Sequence, residues 1–327
     1  MKKHLIVVAA LAAGIAGIAG PACAAAETVT LAHSTWVGFG PLYIARDTGT
    51  FARNGITVDL EVIEDVKQRF AALEADRIQL VASSVDAALL YLRTPTEFQY
   101  LIATDDSRGG DGIVATTDVK TVADLKGKTV AVDKGSVSQF YLDVLLAKAR
   151  LHESDLFLLN LTAKDAVGAF LAKKVDAAVT WEPWLSQGKG AANGHVVVDS
   201  AATPGLIVDA LMAKSRWVAA HPKAAAAIVK SWNEAVAYYR AHPDEGIAIM
   251  AKGVGGWLKD PKAFSETLSG VGLYGAAENK AFFGTLAEPG PLAGTVRYAI
   301  EVWSSHQKLR VQPNATRLIN YRFVAGD

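Results

Sequence analysis

Trp181-Glu182-Pro183-Trp184 sets a carboxylate between two indoles. Burying a carboxylate among aromatics is costly unless a partner neutralises it, and an indole face attracts a cation. The combination suits capture of a small positively charged solute. Comparable side chains stand near the ends of predicted strands: Trp36 and Phe39 after the first, Ser84 after the third, and Asp106 and Asp111 after the fourth. Ser136 opens a later helix, and Asp209 lies in a returning strand. Ligands of open α/β sheets sit beyond the carboxyl ends of the strands, so these nine residues are the candidate ligand-binding set. Each also has a structural role open to it. Trp36 and Trp181 could pack between lobes, Ser84 and Ser136 could cap helices, and Asp111 could serve a glycine-rich turn. Capping is compatible with binding, because a helix start keeps N–H groups that can meet an anion.

No set of residues offers a reaction. Lys126-Gly127-Lys128-Thr129 looks like the end of a phosphate loop, but that motif requires glycine where Val122 stands. No G-x-G-x-x-G opens a helix, no G-x-S-x-G surrounds a serine, and the seven histidines show no H-E-x-x-H spacing. His221-Pro222 and His242-Pro243 mark helix boundaries, because proline disfavours helix in the residue before it. The single cysteine, Cys23, excludes a disulfide scaffold and a cysteine-ligated zinc site. The chain is expected to bind and not to catalyse, with no catalytic residue, no cofactor and no metal.

Periodicity predicts the elements that position these side chains. Glu27–His33 alternates as a strand, and Pro41 then opens a helix, where proline fits the first turn. Strands follow at 56–63, 78–82 and 99–103, with helices at 67–73 and from Ser84. After the break Gly109-Gly110-Asp111-Gly112 the alternation restarts, with strands at 113–115, 129–132, 157–160 and 177–180 and helices at 121–125, 136–149 and 164–173. Two more strands come at 195–198 and 206–212, and beyond Ser215 the chain is mostly helical. Such alternation predicts α/β units with a largely parallel sheet, and two series predict two lobes. A length of 327 residues suits two domains with cores of their own. The 33 basic and 33 acidic side chains balance, which argues against nucleic-acid binding.

Residues 1–24 have the three regions of a secretory signal peptide: basic Lys2 and Lys3, an apolar run at 5–19, and Ala22-Cys23-Ala24 before a cut after Ala24 or Ala26. The apolar run is shorter than the ~20 residues a membrane span needs. Gly20 and Pro21 disfavour lipid attachment at Cys23. Cleavage leaves 31 basic residues against 33 acidic ones, and no thiol. The mature chain is expected to be exported, with no insertion into the membrane; the periplasm is the location that the resemblance described next implies.

The run from Trp36 to Ala45, with Gly49, Phe51 and Gly55-Ile56-Thr57-Val58, resembles the opening of solute-binding proteins of the nitrate/sulfonate/taurine (NitT/TauT) class of ABC importers. The resemblance continues through 111–114, 125–132, Gly135-Ser136, 175–184 and 203–209. It implies the type II periplasmic-binding-protein fold, two α/β lobes with two hinge crossovers near 108–112 and 205–212. Lobe 1 would comprise 27–108 plus 213–327, and lobe 2 109–212. It further implies a small-molecule solute in the interlobe cleft, hinge closure, delivery to an ABC permease and its ATPase, and a monomer. Members of the class take nitrate, alkylsulfonates, taurine or pyrimidine precursors. The candidate loops carry Asp105, Asp106, Asp111, Glu182 and Asp209 against Arg108 and Lys134. A cationic or zwitterionic nitrogen-containing solute is therefore expected: guanidine-like, an amine or taurine-like. The alternatives are an anion (nitrate or alkylsulfonate), a pyrimidine-precursor binding or synthesising protein of the same fold, and a sensor subunit addressing a receptor.

Overall fold

The computed structural model describes residues 27–324. The expected signal segment, with its cleavage site and Cys23, lies outside them. The chain lays down β1 (Glu27–His33), β2 (Ile56–Val62), β3 (Leu80–Ser84) and β4 (Phe98–Ser107). It then forms β5 (Asp111–Thr116), β6 (Thr129–Val132), β7 (Phe157–Asn160), β8 (Ala177–Trp181) and β9 (Gly194–Asp199), and returns as β10 (Val208–Lys214) and β11 (Val271–Leu273). These strands make one sheet in the order β11-β4-β10-β3-β1-β2 and a second in the order β7-β6-β8-β5-β9.

Each sheet is the middle layer of its lobe, because successive side chains of a strand point to opposite faces. Leu31 and Leu80 enter one apolar layer and Ala32 and Val81 the other. In the second lobe Val130 and Val179 face one layer while Ala131 and Ala178 face the other. Strands buried on both faces read as continuous apolar runs, which is why they are visible in the sequence. Helix starts follow local chemistry. Asp65 accepts the Gln68 N–H and caps the helix Val66–Glu74, and Ser136 accepts the Ser138 N–H at the start of Val137–Lys148. Pro222, Pro243, Pro261 and Pro291 each occupy a first turn of a late helix. No helix among the described residues is long and apolar enough to cross a membrane.

Three expectations are corrected. The sheets are mixed, not largely parallel. β1–β2, β1–β3, β6–β7 and β6–β8 are parallel, but β10 is antiparallel to both β3 and β4, and β5 to both β8 and β9. The reversed strands are those that arrive from the other lobe, so their direction is set by the crossover and not by a strand–helix–strand unit. The expected crossover span holds the start of β10 at Val208, but the lobe boundary drawn at 212 does not follow it, since 208–212 pair within the first sheet. Finally, β4 does not stop at residue 103. Thr104-Asp105-Asp106-Ser107 carries no apolar signal, yet β10 pairs with it on one side and β11 on the other, so the ladder continues.

Candidate functional site

The reversed strands assemble the site. Because β10 runs against β3 and β4, its first residues meet their last ones: Asp209 lies opposite Ser84 on one side and Asp105 on the other. Because β5 runs against β8, Asp111 lies opposite Trp181. Polar residues from the start of one strand thus join those from the end of its neighbours at one rim of each sheet, and the two rims face each other.

Between the rims lies a cavity of about 40 Å³. Trp36, Phe39, Arg69, Ser84 and Asp209 line it from the first lobe, and Asp111, Asp133, Ser136 and Trp181 from the second. Trp36 Nε1 donates to Asp105 Oδ1 at 3.1 Å, which fixes the indole. Its ring meets Trp181 edge-on across the lobes, with centroids 6.2 Å apart and planes at 84°. Tyr91 OH donates to the Gly135 carbonyl at 2.8 Å and is a second bridge. Arg69 is buried, and its Nη1 donates to the carbonyls of Ile63 (2.6 Å) and Glu64 (3.2 Å). Its Nε has no partner among protein atoms, nor does Ser84 Oγ.

The carboxylates are out of balance with this single lining guanidinium. Burial pushes Asp111 up to about 8 and Asp105 up to about 7, and neighbouring aspartates add to both shifts. Asp86, behind the wall in the helix Val85–Leu89, is held at about 7 by burial, and neither of its oxygens has a hydrogen-bond partner. Asp209 is raised well above the usual carboxylate range by burial and then by Asp105, Asp111 and Asp86. Asp133 is raised to about 6, again chiefly by burial. Buried His33 is driven down to about 4, so it stays neutral behind the site. A carboxyl removed from water keeps its charge only if an opposite charge accompanies it. The cavity therefore has two ways to relieve itself: hold protons, or exchange them for a cation.

Seven of the nine expected residues are brought to the cavity: Trp36, Phe39, Ser84, Asp111, Ser136, Trp181 and Asp209. Asp106 and Glu182 are not. Asp106 is part of β4 and not of a loop, so alternation sends it to the face away from Asp105, where Arg108 Nε donates to its Oδ1 at 2.9 Å. Glu182 is buried but turned into its own lobe. Its Oε2 accepts the Ser186 N–H at 3.1 Å and its Oε1 the Ser186 hydroxyl at 2.8 Å, at the start of the helix Trp184–Lys189. The partner that a buried carboxylate needs is thus a helix start and not a ligand. Arg69 was not anticipated. The signal was there, since Val66, Arg69 and Leu73 share the inward stripe of one helix, and a charged residue on an apolar stripe is rarely idle.

Likeness to known proteins bears on the architecture and ancestry of the chain. The alkanesulfonate-binding protein of Xanthomonas axonopodis pv. citri, solved with bound MOPS, superposes with a TM-score of 0.72 at 18% identity, over 90% of this chain and 98% of that one. The likeness shows the periplasmic-binding-protein fold. A Brucella abortus protein provisionally named a binding protein is 28% identical over 232 residues, 68% of this chain and 69% of its own length. A Bacillus subtilis protein provisionally named an aliphatic sulfonates-binding protein is 24% identical over 284 residues, 82% of this chain and 86% of its own. Both relatives carry the provisional name of a binding protein and neither that of an enzyme. The NMT1-like family matches residues 23–254, most of the sequence, and the chain belongs to that family.

Proposed function

We propose that the chain is the solute-capturing component of an ABC importer and that its solute is a compact cation or zwitterion, guanidine-like, an amine or taurine-like. The observation that carries this reading is the burial of Asp111 and Asp209 on opposite walls of one interlobe cavity, with Arg69 the only base among its described lining residues. A cation between them would replace the protons that burial otherwise imposes. Trp36 and Trp181 add indole surface for the same charge. The cavity has room for about three water molecules, which suits a solute of few atoms. In a zwitterion, the acid end would meet Arg69 and the N–H groups at the helix start by Ser136. Residues from both lobes would touch one solute, so the solute would favour the closed arrangement, the form a permease and its ATPase accept. The signal-like segment at 1–24 supports a periplasmic site of action.

A second reading is an anion, nitrate or an alkylsulfonate. Arg69, with its unpartnered Nε, favours it, as does the name of the Bacillus subtilis relative. Calorimetric titration with guanidinium, ethylamine, taurine, nitrate and ethanesulfonate separates the two. The proposal expects saturable binding of a cation or of taurine. Tight binding of nitrate or ethanesulfonate, with none of the amines or guanidinium, overturns it.

A further inference from the structure

We infer that Asp143, Glu153 and His306 form a site for a divalent ion of the zinc class that joins the two lobes outside the solute cavity. Asp143 lies in the helix Val137–Lys148 and Glu153 in the short turn Glu153–Asp155, both in the second lobe. His306 ends the helix Pro291–Ser305 of the first. One ligand atom from each falls within 4.8 Å of the others, the one such grouping of His, Cys, Asp or Glu among the described residues. The three positions are distant in sequence, which is why no motif announces them.

The second observation is the state of Asp143. Its side chain has no solvent exposure, and neither carboxylate oxygen has a hydrogen-bond partner. His306 Nδ1 lies 3.2 Å from Oδ2 without the direction of a hydrogen bond. The other near neighbour, Glu153, is a second carboxylate and brings no opposite charge. A buried carboxylate facing a second carboxylate and an imidazole is relieved by a cation shared among them. One imidazole nitrogen and two carboxylate oxygens are ligands that zinc accepts, with water in a fourth position. Tetrahedral zinc sets its ligand atoms about 3.3–3.6 Å apart, and Glu153 and His306 are partly exposed and able to turn inward. Gln139 donates to Glu153 Oε1 and orients it. Lys308 Nζ, 3.9 Å from Glu153 Oε2, sits on a partly exposed side chain that can swing aside.

The test is calorimetric titration of zinc chloride into the metal-stripped full chain, with thermal melting in parallel. The expected result is one ion per chain and a raised Tm. His306→Ala and Glu153→Gln should each weaken binding at least about tenfold, and zinc should no longer raise the Tm of His306→Ala. His221→Ala, a histidine paired with Glu27 elsewhere on the first lobe, should bind as the parent does. Absence of zinc binding overturns the inference and leaves Asp143 holding only a proton. So does a bound ion that survives His306→Ala, since the bridge between lobes would then not exist.

Discussion

At the scale of single residues, the proposed site rests on aspartates whose burial disfavours their charge. Asp111 shows the trade. Its folded-state value, about 8, lies above that of an unfolded aspartate, so the folded chain binds the extra proton. Stability from this group is therefore present at low pH and lost as pH rises from about 4 toward about 8. Asp111→Asn should flatten that loss and raise the Tm of the solute-free protein by a few degrees near pH 8 in a thermal melt. The same change should weaken cation binding at least about thirtyfold by calorimetry, since it removes one partner of a buried charge pair. Unchanged affinity would contradict the role given to Asp111. Residue types showed which side chains could hold a small polar solute, but not their partners. The Asp209–Asp105 pairing joins strands far apart in sequence, and nothing local in the chain announces it. Glu182 misled for the opposite reason: its partner, Ser186, is four residues away and is structural.

At the scale of elements, continuous apolar runs revealed many strands because they are buried on both faces, and the signal failed where burial is polar. The end of β4 is the clear case, held by neighbours on either side and not by its own apolar residues. Two predictions belong here. Glu182→Ala removes the acceptor at the start of Trp184–Lys189 and should cost about 1 kcal/mol in denaturant unfolding while leaving solute affinity unchanged. A loss of affinity as large as that of Asp111→Asn would return Glu182 to the site. Gly110 lies on the first crossover, and a Cβ there would sit 2.5 Å from Trp36 Cη2 and 3.1 Å from the Gly270 carbonyl. Gly110→Ala should force the indole away from Trp181 and weaken solute binding about tenfold. Tryptophan fluorescence should report the displaced ring, and an unaltered spectrum with parent affinity would contradict the tight interlobe contact.

At the scale of the whole molecule, two layered lobes face each other across residues that neither lobe alone would bury. The crossovers are tied at their base. Ser107 and Ser200 hydroxyls lie 2.7 Å apart, and Ser200 Oγ also accepts the Gly109 N–H at 2.7 Å, so the first crossover is tied to the segment that follows β9. The division into two α/β lobes was readable from the restart after Gly109-Gly110, whereas the reversed direction of β5 and β10 was not, because it follows from the crossing itself. That reversal brings the acidic rims together, and their charge is the central claim. Calorimetric titration of the cation that binds, between about pH 6 and pH 8.5 in buffers of different ionisation heat, tests it most directly. The account predicts affinity that rises with pH until about pH 8, by up to about tenfold per unit, with protons released on binding. Affinity that falls as pH rises, with protons taken up on binding, would contradict it.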